Sequence, residues 1–392
     1  MERLHIAFFG PTNSGKSTLV NALAGQQVSL VSPIPGTTTD PVRKLIELPG
    51  LGPCVLIDTA GLGDARALGA ERERMTRAIL DETDIAVILD APEASSMSPK
   101  EGHWQQKPGE SDANVPDFGT LAAQAGIPVI RYTRGESVES LLQRLIASAP
   151  KEEERFLTGN LVGKGSSVLL VMPQDSEAPK GRLILPQVQV LRELLDRGCV
   201  PHSCTPDSLQ AALASLSRLP DLVITDSQVF GLVNKTLPAD CPLTSFSVLL
   251  AAAKGDVRTF VEGARAIDKL QPGSRVLIAE ACTHVPDTED IGRVKIPALL
   301  RKRMEIPGQA RNDDLIIDIA AGNDFPEDLT PYSLIIHCGA CVANARLVRS
   351  RIRKALLAGV PITNYGIALA ALNGILQRVS IPERSDAGGL GD

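Results

Sequence analysis

Aromatic residues are scarce. They make up 3% of the 392 residues, so any core has to be assembled from Leu, Ile, Val and Ala. No apolar run approaches the roughly 18 to 20 residues that a membrane span needs. The opening Met-Glu-Arg-Leu-His has neither the basic stretch nor the cleavage pattern of a secretory signal. A cytoplasmic protein without a membrane partner is expected. An excess of positive charge is also missing: 40 basic against 46 acidic residues give −6, which argues against a protein that coats nucleic acid. The cysteines are seven, an odd number spread over positions 54, 199, 204, 241, 282, 338 and 341. That is no disulfide framework, and in a reducing compartment clustered thiols point to metal. Cys54, inside an apolar run, reads as packing. No internal repeat and no low-complexity tract is evident.

What is present is ordinary for a globular protein, 43% hydrophobic and 22% charged. The length suggests two or three domains, and three are expected because one core rarely grows this large. Strands are predicted at Leu4–Phe9, Val55–Asp58 and Ile85–Leu89, alternating with helices at 16–24 and 71–80. Strands separated by helices imply a parallel α/β sheet. Residues 91–120, with four prolines and no periodicity, read as an irregular loop. Order resumes at Ile127–Ile130 and the helical stretch 138–149. The first domain is therefore placed at 1–150. A linker follows at 151–167, rich in Glu and Gly. A small α/β unit is placed at 168–256 and a second at 257–392, whose strands are expected at 275–279, 315–319 and 334–336.

Gly10-Pro-Thr-Asn-Ser-Gly-Lys-Ser17 matches the phosphate-binding pattern G-x4-G-K-S, with a strand before it and a helix after it. The chemistry requires that arrangement. Gly10 and Gly15 let the backbone curl so that the N–H groups around Ser14, Ser17 and Thr18 face phosphate oxygens. The helix N-terminus adds partial positive charge, Lys16 neutralises the β- and γ-phosphates, and the Ser17 hydroxyl can ligate Mg²⁺. Asp58-Thr-Ala-Gly61 ends the next apolar strand, so Asp58 can hold the Mg²⁺ shell while the Gly61 N–H meets the γ-phosphate. Between them, Thr38 of Gly36-Thr-Thr-Thr39 can close on Mg²⁺.

These motifs resemble the translation-factor-like GTPases of the Era and TrmE type. The resemblance implies that Asn13 helps to bind K⁺, which supplies positive charge where other GTPases use an arginine finger. Leu62 follows Gly61, so no glutamine is there to orient water. Hydrolysis is expected to be slow and to need K⁺ or another acidic residue. For the base, the only nearby counterpart of Asn-Lys-x-Asp is Asn114-Val-Pro-Asp117, without the Lys. The Asp117 carboxylate can accept from the guanine N1 and N2 hydrogens of GTP.

Cys282-Thr-His284 and His337-Cys-Gly-Ala-Cys341 form a second constellation, each after an expected strand. Cys-x-x-Cys lets both sulfurs face one metal, and Gly339 is expected to free the tight turn. Two metals suit this set. Zinc would take three Cys and a His in a closed tetrahedron. A [4Fe–4S] cluster would take Cys282, Cys338 and Cys341, leaving one iron for His284, His337, water or another group. Thiolate softness alone does not separate them.

The whole pattern resembles the HydF family of [FeFe]-hydrogenase maturation proteins: the phosphate loop, the middle α/β unit, C-x-H…H-C-x-x-C, Asp290-Ile-Gly-Arg-Val-Lys-Ile-Pro297, Gly322-Asn-Asp-Phe-Pro326 and Gly359-Val-Pro-Ile-Thr-Asn-Tyr-Gly366. The likeness implies a GTPase domain, a dimerisation domain and a cluster-binding domain, with a [4Fe–4S] cluster on the three cysteines. It implies a homodimeric scaffold that receives a diiron precursor made with the radical-SAM maturases HydE and HydG and delivers it to apo-[FeFe]-hydrogenase. The competing expectation is a TrmE- or Era-like GTPase of RNA modification or ribosome assembly, with structural zinc.

Overall fold

A computed structural model describes residues 3–11, 14–25, 41–59, 69–90, 118–150, 156–174, 183–281, 290–304 and 315–383. The chain forms two compact units, Met1–Lys151 and Glu152–Asp392.

The first unit is a sheet built on β1 (Leu4–Phe9). In chain order its other elements are α1 (Lys16–Ala24), β2 (Val42–Leu48), β3 (Gly52–Asp58), α2 (Gly69–Glu82), β4 (Ile85–Leu89), α3 (Phe118–Gln124), β5 (Val129–Tyr132) and α4 (Val138–Ser148). The strand order is β2-β3-β1-β4-β5, all parallel except the β2–β3 pair. Along β1 the side chains alternate between two cores. Ile6 and Phe8 pack with Leu19, Val20, Leu141 and Leu145, whereas Ala7 and Phe9 pack with Ile79, Leu80, Phe118 and Ala122. A strand covered on both faces is apolar at nearly every position, and β1, with His5 as its one polar residue, is legible in the sequence for that reason. Cys54 lies in β3 at 1% exposure, and burial pushes its thiol pKa up to about 11. Helix α3 begins inside the stretch 91–120 that was expected to be irregular; residues 91–117 lie outside the described residues.

The second unit holds two four-stranded sheets. The first comprises β6 (Ser167–Val171), α5 (Leu185–Asp196), β7 (Val200–Cys204), α6 (Leu209–Ser215), β8 (Leu222–Thr225), α7 (Phe230–Thr236), β9 (Leu243–Ser245) and α8 (Phe246–Lys254). The second comprises α9 (Val257–Ala264), β10 (Arg275–Glu280), α10 (Ile296–Met304), β11 (Ile316–Ala321), β12 (Leu334–His337), α11 (Ala345–Leu357), β13 (Ile362–Asn364) and α12 (Tyr365–Leu372). Both are wholly parallel. Their orders are β7-β6-β8-β9 and β11-β10-β12-β13. One apolar cluster runs through both, from Val223, Leu243 and Val248 to Ile278, Ile335 and Ile367. Within the stretch read as a linker, Thr158 is fully buried, and Glu193 of α5 accepts from its N–H (2.9 Å) and hydroxyl.

The two sheets share one strand order, and their last strand–helix pairs align without a gap, identical at six of fourteen positions. Pro242-Leu-Thr-Ser-Phe-Ser-Val-Leu-Leu-Ala-Ala-Ala-Lys-Gly255 parallels Pro361-Ile-Thr-Asn-Tyr-Gly-Ile-Ala-Leu-Ala-Ala-Leu-Asn-Gly374. Ser245 and Asn364 cap their helices, accepting from Val248 N–H (3.2 Å) and Ile367 N–H (2.9 Å). The expectation of no internal repeat is corrected: the second unit is a duplication, hidden because only short apolar strands and caps carry it. Asn364 is in register with His337, as Ser245 is with Thr225, so His337 occupies the place of Thr225.

Candidate functional site

In the first unit the phosphate loop joins β1 to α1. A Cβ on Gly10 would lie 2.5 Å from the Leu89 carbonyl oxygen, so only glycine passes there. Gly15 takes φ +96° immediately before the helix, the left-handed region that glycine tolerates. The Lys16 ammonium, 6% exposed, donates to the carbonyls of Gly10 (2.9 Å) and Pro11 (2.8 Å). Burial lowers its pKa, opposed by the charge of Asp58. Asp58, in register with Phe8 across β1 and β3, is 7% exposed. Burial raises its carboxyl pKa, against a hydrogen bond from Ser17 and the charge of Lys16. Thus Lys16, Ser17 and Asp58 converge at the C-terminal edge of the sheet, as Mg²⁺–triphosphate chemistry requires. Ser14 Oγ is buried there with no partner among the described residues. Thr18 follows on α1. Asn13, Thr38, Gly61, Asn114 and Asp117 lie outside the described residues.

In the second unit the thiol loop follows β12, beside β10. Cys338 N–H donates to the Ala279 carbonyl (2.8 Å), extending the β10–β12 ladder. Two amides reach the Cys338 sulfur, Ala281 N–H at 3.1 Å and Ala340 N–H at 3.4 Å. Amide donors of this kind favour a thiolate over a thiol, so the loop fits a soft-metal centre. Cys338 is half-buried and Cys341 exposed. Cys282, one residue beyond Ala281, and His284 lie outside the described residues; among those described, no group of three His, Cys, Asp or Glu could hold a metal. The left-handed residue of the turn is Ala340 (φ +52°), not Gly339. The expected role of Gly339 is therefore corrected: the loop stores strain at an alanine, of order 1–2 kcal/mol.

His337 is 1% exposed, and neither ring nitrogen is open. A guanidinium has no acceptor, so Arg351 must donate to Nε2 (3.2 Å). That leaves the proton on Nδ1, which donates to the Cys338 carbonyl (2.8 Å). Burial, with the Arg351 charge added, pushes the His337 pKa down to about 3. Arg351, itself buried, also donates to the carbonyls of Glu280 (3.2 Å) and Gly322 (2.6 Å).

Beside Cys338 stands a polar group that sequence reasoning missed. Glu280, at the end of β10, accepts from Arg293 (2.8 Å) of the π-helical turn Ile291–Lys295. Its other oxygen and the Tyr365 hydroxyl are buried with no hydrogen-bond partner among the described residues. A Cβ on Gly292 would lie 1.9 Å from that hydroxyl and 3.1 Å from Glu280 Oε1. Burial holds the Tyr365 pKa well above its usual value, and the nearby Cys338, Glu280 and Asp290 add to it. Arg351 and Glu280 carried no signal, since charged residues at helical spacing or after a strand read as solvated.

The arrangement defines a class: a P-loop nucleotide-binding α/β unit joined to a duplicated α/β unit with a thiol loop at a sheet edge. Family models agree in order along the chain. Residues 5–113 match a 50S ribosome-binding GTPase, 157–255 the hydrogen maturase F dimerization domain, and 258–382 the hydrogen maturase F tetramerization domain. The chain belongs to the hydrogen maturase F family, with an N-terminal GTPase domain. It is 37% identical over 177 residues to the tRNA modification GTPase MnmE of Methylobacterium sp. (strain 4-46), covering 43% of this chain and 36% of that protein. To MnmE of Acidiphilium cryptum (strain JF-5) it is 44% identical over 227 residues, 56% and 46% of the two chains. The chain thus spans less than half the length of these curated relatives. Among solved structures, an Era variant of Aquifex aeolicus bound to GDP and aluminium fluoride covers 68% of each chain at 18% identity and a TM-score of 0.25. No helix among the described residues is long and apolar enough to cross a membrane.

Proposed function

We propose that this protein is a scaffold and carrier in [FeFe]-hydrogenase maturation, working as a homodimer. Cys282, Cys338 and Cys341 hold a [4Fe–4S] cluster. Such a cluster leaves one iron open to a bridging ligand, which suits receipt of a diiron precursor from HydE and HydG and its delivery to apo-hydrogenase. The observation that carries this reading is the 3.1 Å contact between Ala281 N–H and the Cys338 sulfur. It sets the residue before Cys282 against the C-x-x-C loop, at the crevice between two adjacent parallel strands. With both its nitrogens engaged, His337 serves as a support of the loop, so the fourth position falls to His284 or to a ligand from outside. Lys16, Ser17 and Asp58 bind Mg²⁺–GTP, Asn13 holds K⁺, Asn114 and Asp117 face the base, and Thr38 and Gly61 order on the γ-phosphate, which makes the GTPase domain a switch for partner binding.

The test is anaerobic reconstitution of the full chain with iron and sulfide, read by metal analysis and electron paramagnetic resonance. Cys338→Ser is expected to lose most of the iron, and Cys199→Ser, in a buried core position, to keep it. Zinc in place of iron in the purified protein, or full iron in Cys338→Ser, would refute the assignment.

A further inference from the structure

The thiol loop is held from below by a residue of the other half of the duplication. Lys254, the last residue of α8, is 6% exposed, and its ammonium donates to the carbonyls of Ala340 (2.7 Å), Cys341 (3.3 Å) and Ala343 (2.8 Å). One of these carbonyls belongs to the left-handed residue of the turn and another to a thiol-bearing residue. The other half of the duplication offers a comparison within the chain. At the position equivalent to Lys254 stands Asn373, whose side-chain amide donates to its own helix, at the Leu369 carbonyl (2.7 Å), and whose oxygen lies where a Cβ on Gly231 would come within 3.0 Å. Asn373 thus meets the first turn of α7 rather than a loop. The turn of the first half that corresponds to the thiol loop receives its cation from another element, Lys295 donating to the Gln228 side chain (2.8 Å). At the thiol loop the cation comes from a helix end and donates to three backbone carbonyls. Burying an ammonium is expensive unless a specific electrostatic gain offsets it.

We propose that Lys254 is the positioning residue and fixed counter-charge of the metal centre: it holds the strained turn so that Cys338 and Cys341 face one metal, and its charge offsets the excess negative charge of thiolate ligands. This rests on the soft-metal reading of the cysteines. It also assigns the matched dimerization segment, 157–255, a direct part in the cluster site.

The full chain is compared as wild type, Lys254→Gln and Lys254→Arg, each refolded state checked by its melting curve. Two probes are used: Cd²⁺ alone, followed by thiolate charge-transfer absorbance, and the reconstituted cluster, followed by redox titration. Lys254→Gln is expected to bind Cd²⁺ at least tenfold more weakly. Its cluster should show a tenfold larger oxidised-to-reduced ratio at a given potential, equivalent to 59 mV for one electron. Lys254→Arg should stay near wild type in both. Equal Cd²⁺ affinity and equal potential in Lys254→Gln and wild type would overturn the inference while leaving the metal site standing. A wild-type protein that takes up neither Cd²⁺ nor iron would overturn the metal reading first, and this inference with it.

Discussion

Replacing Lys16 by Met keeps the apolar stem and deletes the charge. Two opposing terms act on the fold. The ammonium gives up hydrogen bonds to the Gly10 and Pro11 carbonyls, each worth about 1.5–3 kcal/mol for a charged donor. The variant also no longer buries a charge at a 6% exposed position, a cost of several kcal/mol even after relaxation. The terms are of similar size, so stability should change little. Triphosphate binding has no such compensation. Losing one partner of a buried, hydrogen-bonded charge pair costs about 2–5 kcal/mol. At 1.4 kcal/mol per tenfold, that is a Kd raised by about 30- to 4000-fold. The assay is calorimetric titration with a slowly hydrolysed GTP analogue and Mg²⁺ at fixed ionic strength, beside a melting curve of the same sample. A Kd within threefold of wild type would refute the assignment of Lys16 to phosphate. A collapse of the melting transition would refute the stated cancellation.

Because burial raises the Asp58 carboxyl pKa above its ordinary 3.8, protons should compete with Mg²⁺ sooner than at a free Asp. Mg²⁺-dependent nucleotide affinity should therefore fall as the pH drops from about 7 toward 4, and a flat dependence across that window would count against the site. For folding the sign is opposite: the folded unit takes up that proton more readily than the unfolded chain, so this group alone favours folding as pH falls through its raised pKa. Arg351→Leu strips donors from the buried Glu280 carbonyl and the half-buried Gly322 carbonyl, about 1–3 kcal/mol each. Calorimetry should show the second unit melting at least about 4 °C lower, and an unchanged transition would show that these bonds do not matter. Gly263→Ala would place a Cβ 1.9 Å from the Ile362 carbonyl oxygen, so α9 must lift from β13 at a cost of about 1–3 kcal/mol or more. Wild-type stability in that variant would contradict the packing of helix on strand.

The residues that could be read from the sequence act through consecutive positions. The phosphate loop is such a case, because its glycines, Lys16 and Ser17 are neighbours in the chain. So are β4, apolar throughout, and β1, apolar but for His5. Edge strand β2 escaped notice because both of its faces mix apolar and charged residues, Val42 with Lys44 on one and Leu45 with Arg43 on the other, which blurs the alternation. Strands β9 and β13 are three residues long and run straight into apolar helices. Lys254 and Arg351 escaped for another reason. They act on backbone carbonyls more than eighty and about thirty to seventy positions away, and a carbonyl leaves no signature in residue type. Gly339 misled because the left-handed position fell on its neighbour.

The separation of the cysteine segments in the chain follows from the topology. After β10 the chain crosses to one side to form β11, then returns past β10 to lay down β12 on the other side. The loops leaving β10 and β12 therefore part in opposite directions and open a crevice at the carboxyl ends of the two strands, where open α/β sheets bind ligands. Sheet β7-β6-β8-β9 makes the same crossing, yet the position matching Cys338 is Asp226, whose carboxylate accepts from Gln187 (2.9 Å). A crevice alone is thus not enough. Duplication supplied two, and the thiols, with Lys254 beneath them, distinguish the one proposed to bind metal from the one that closes on itself.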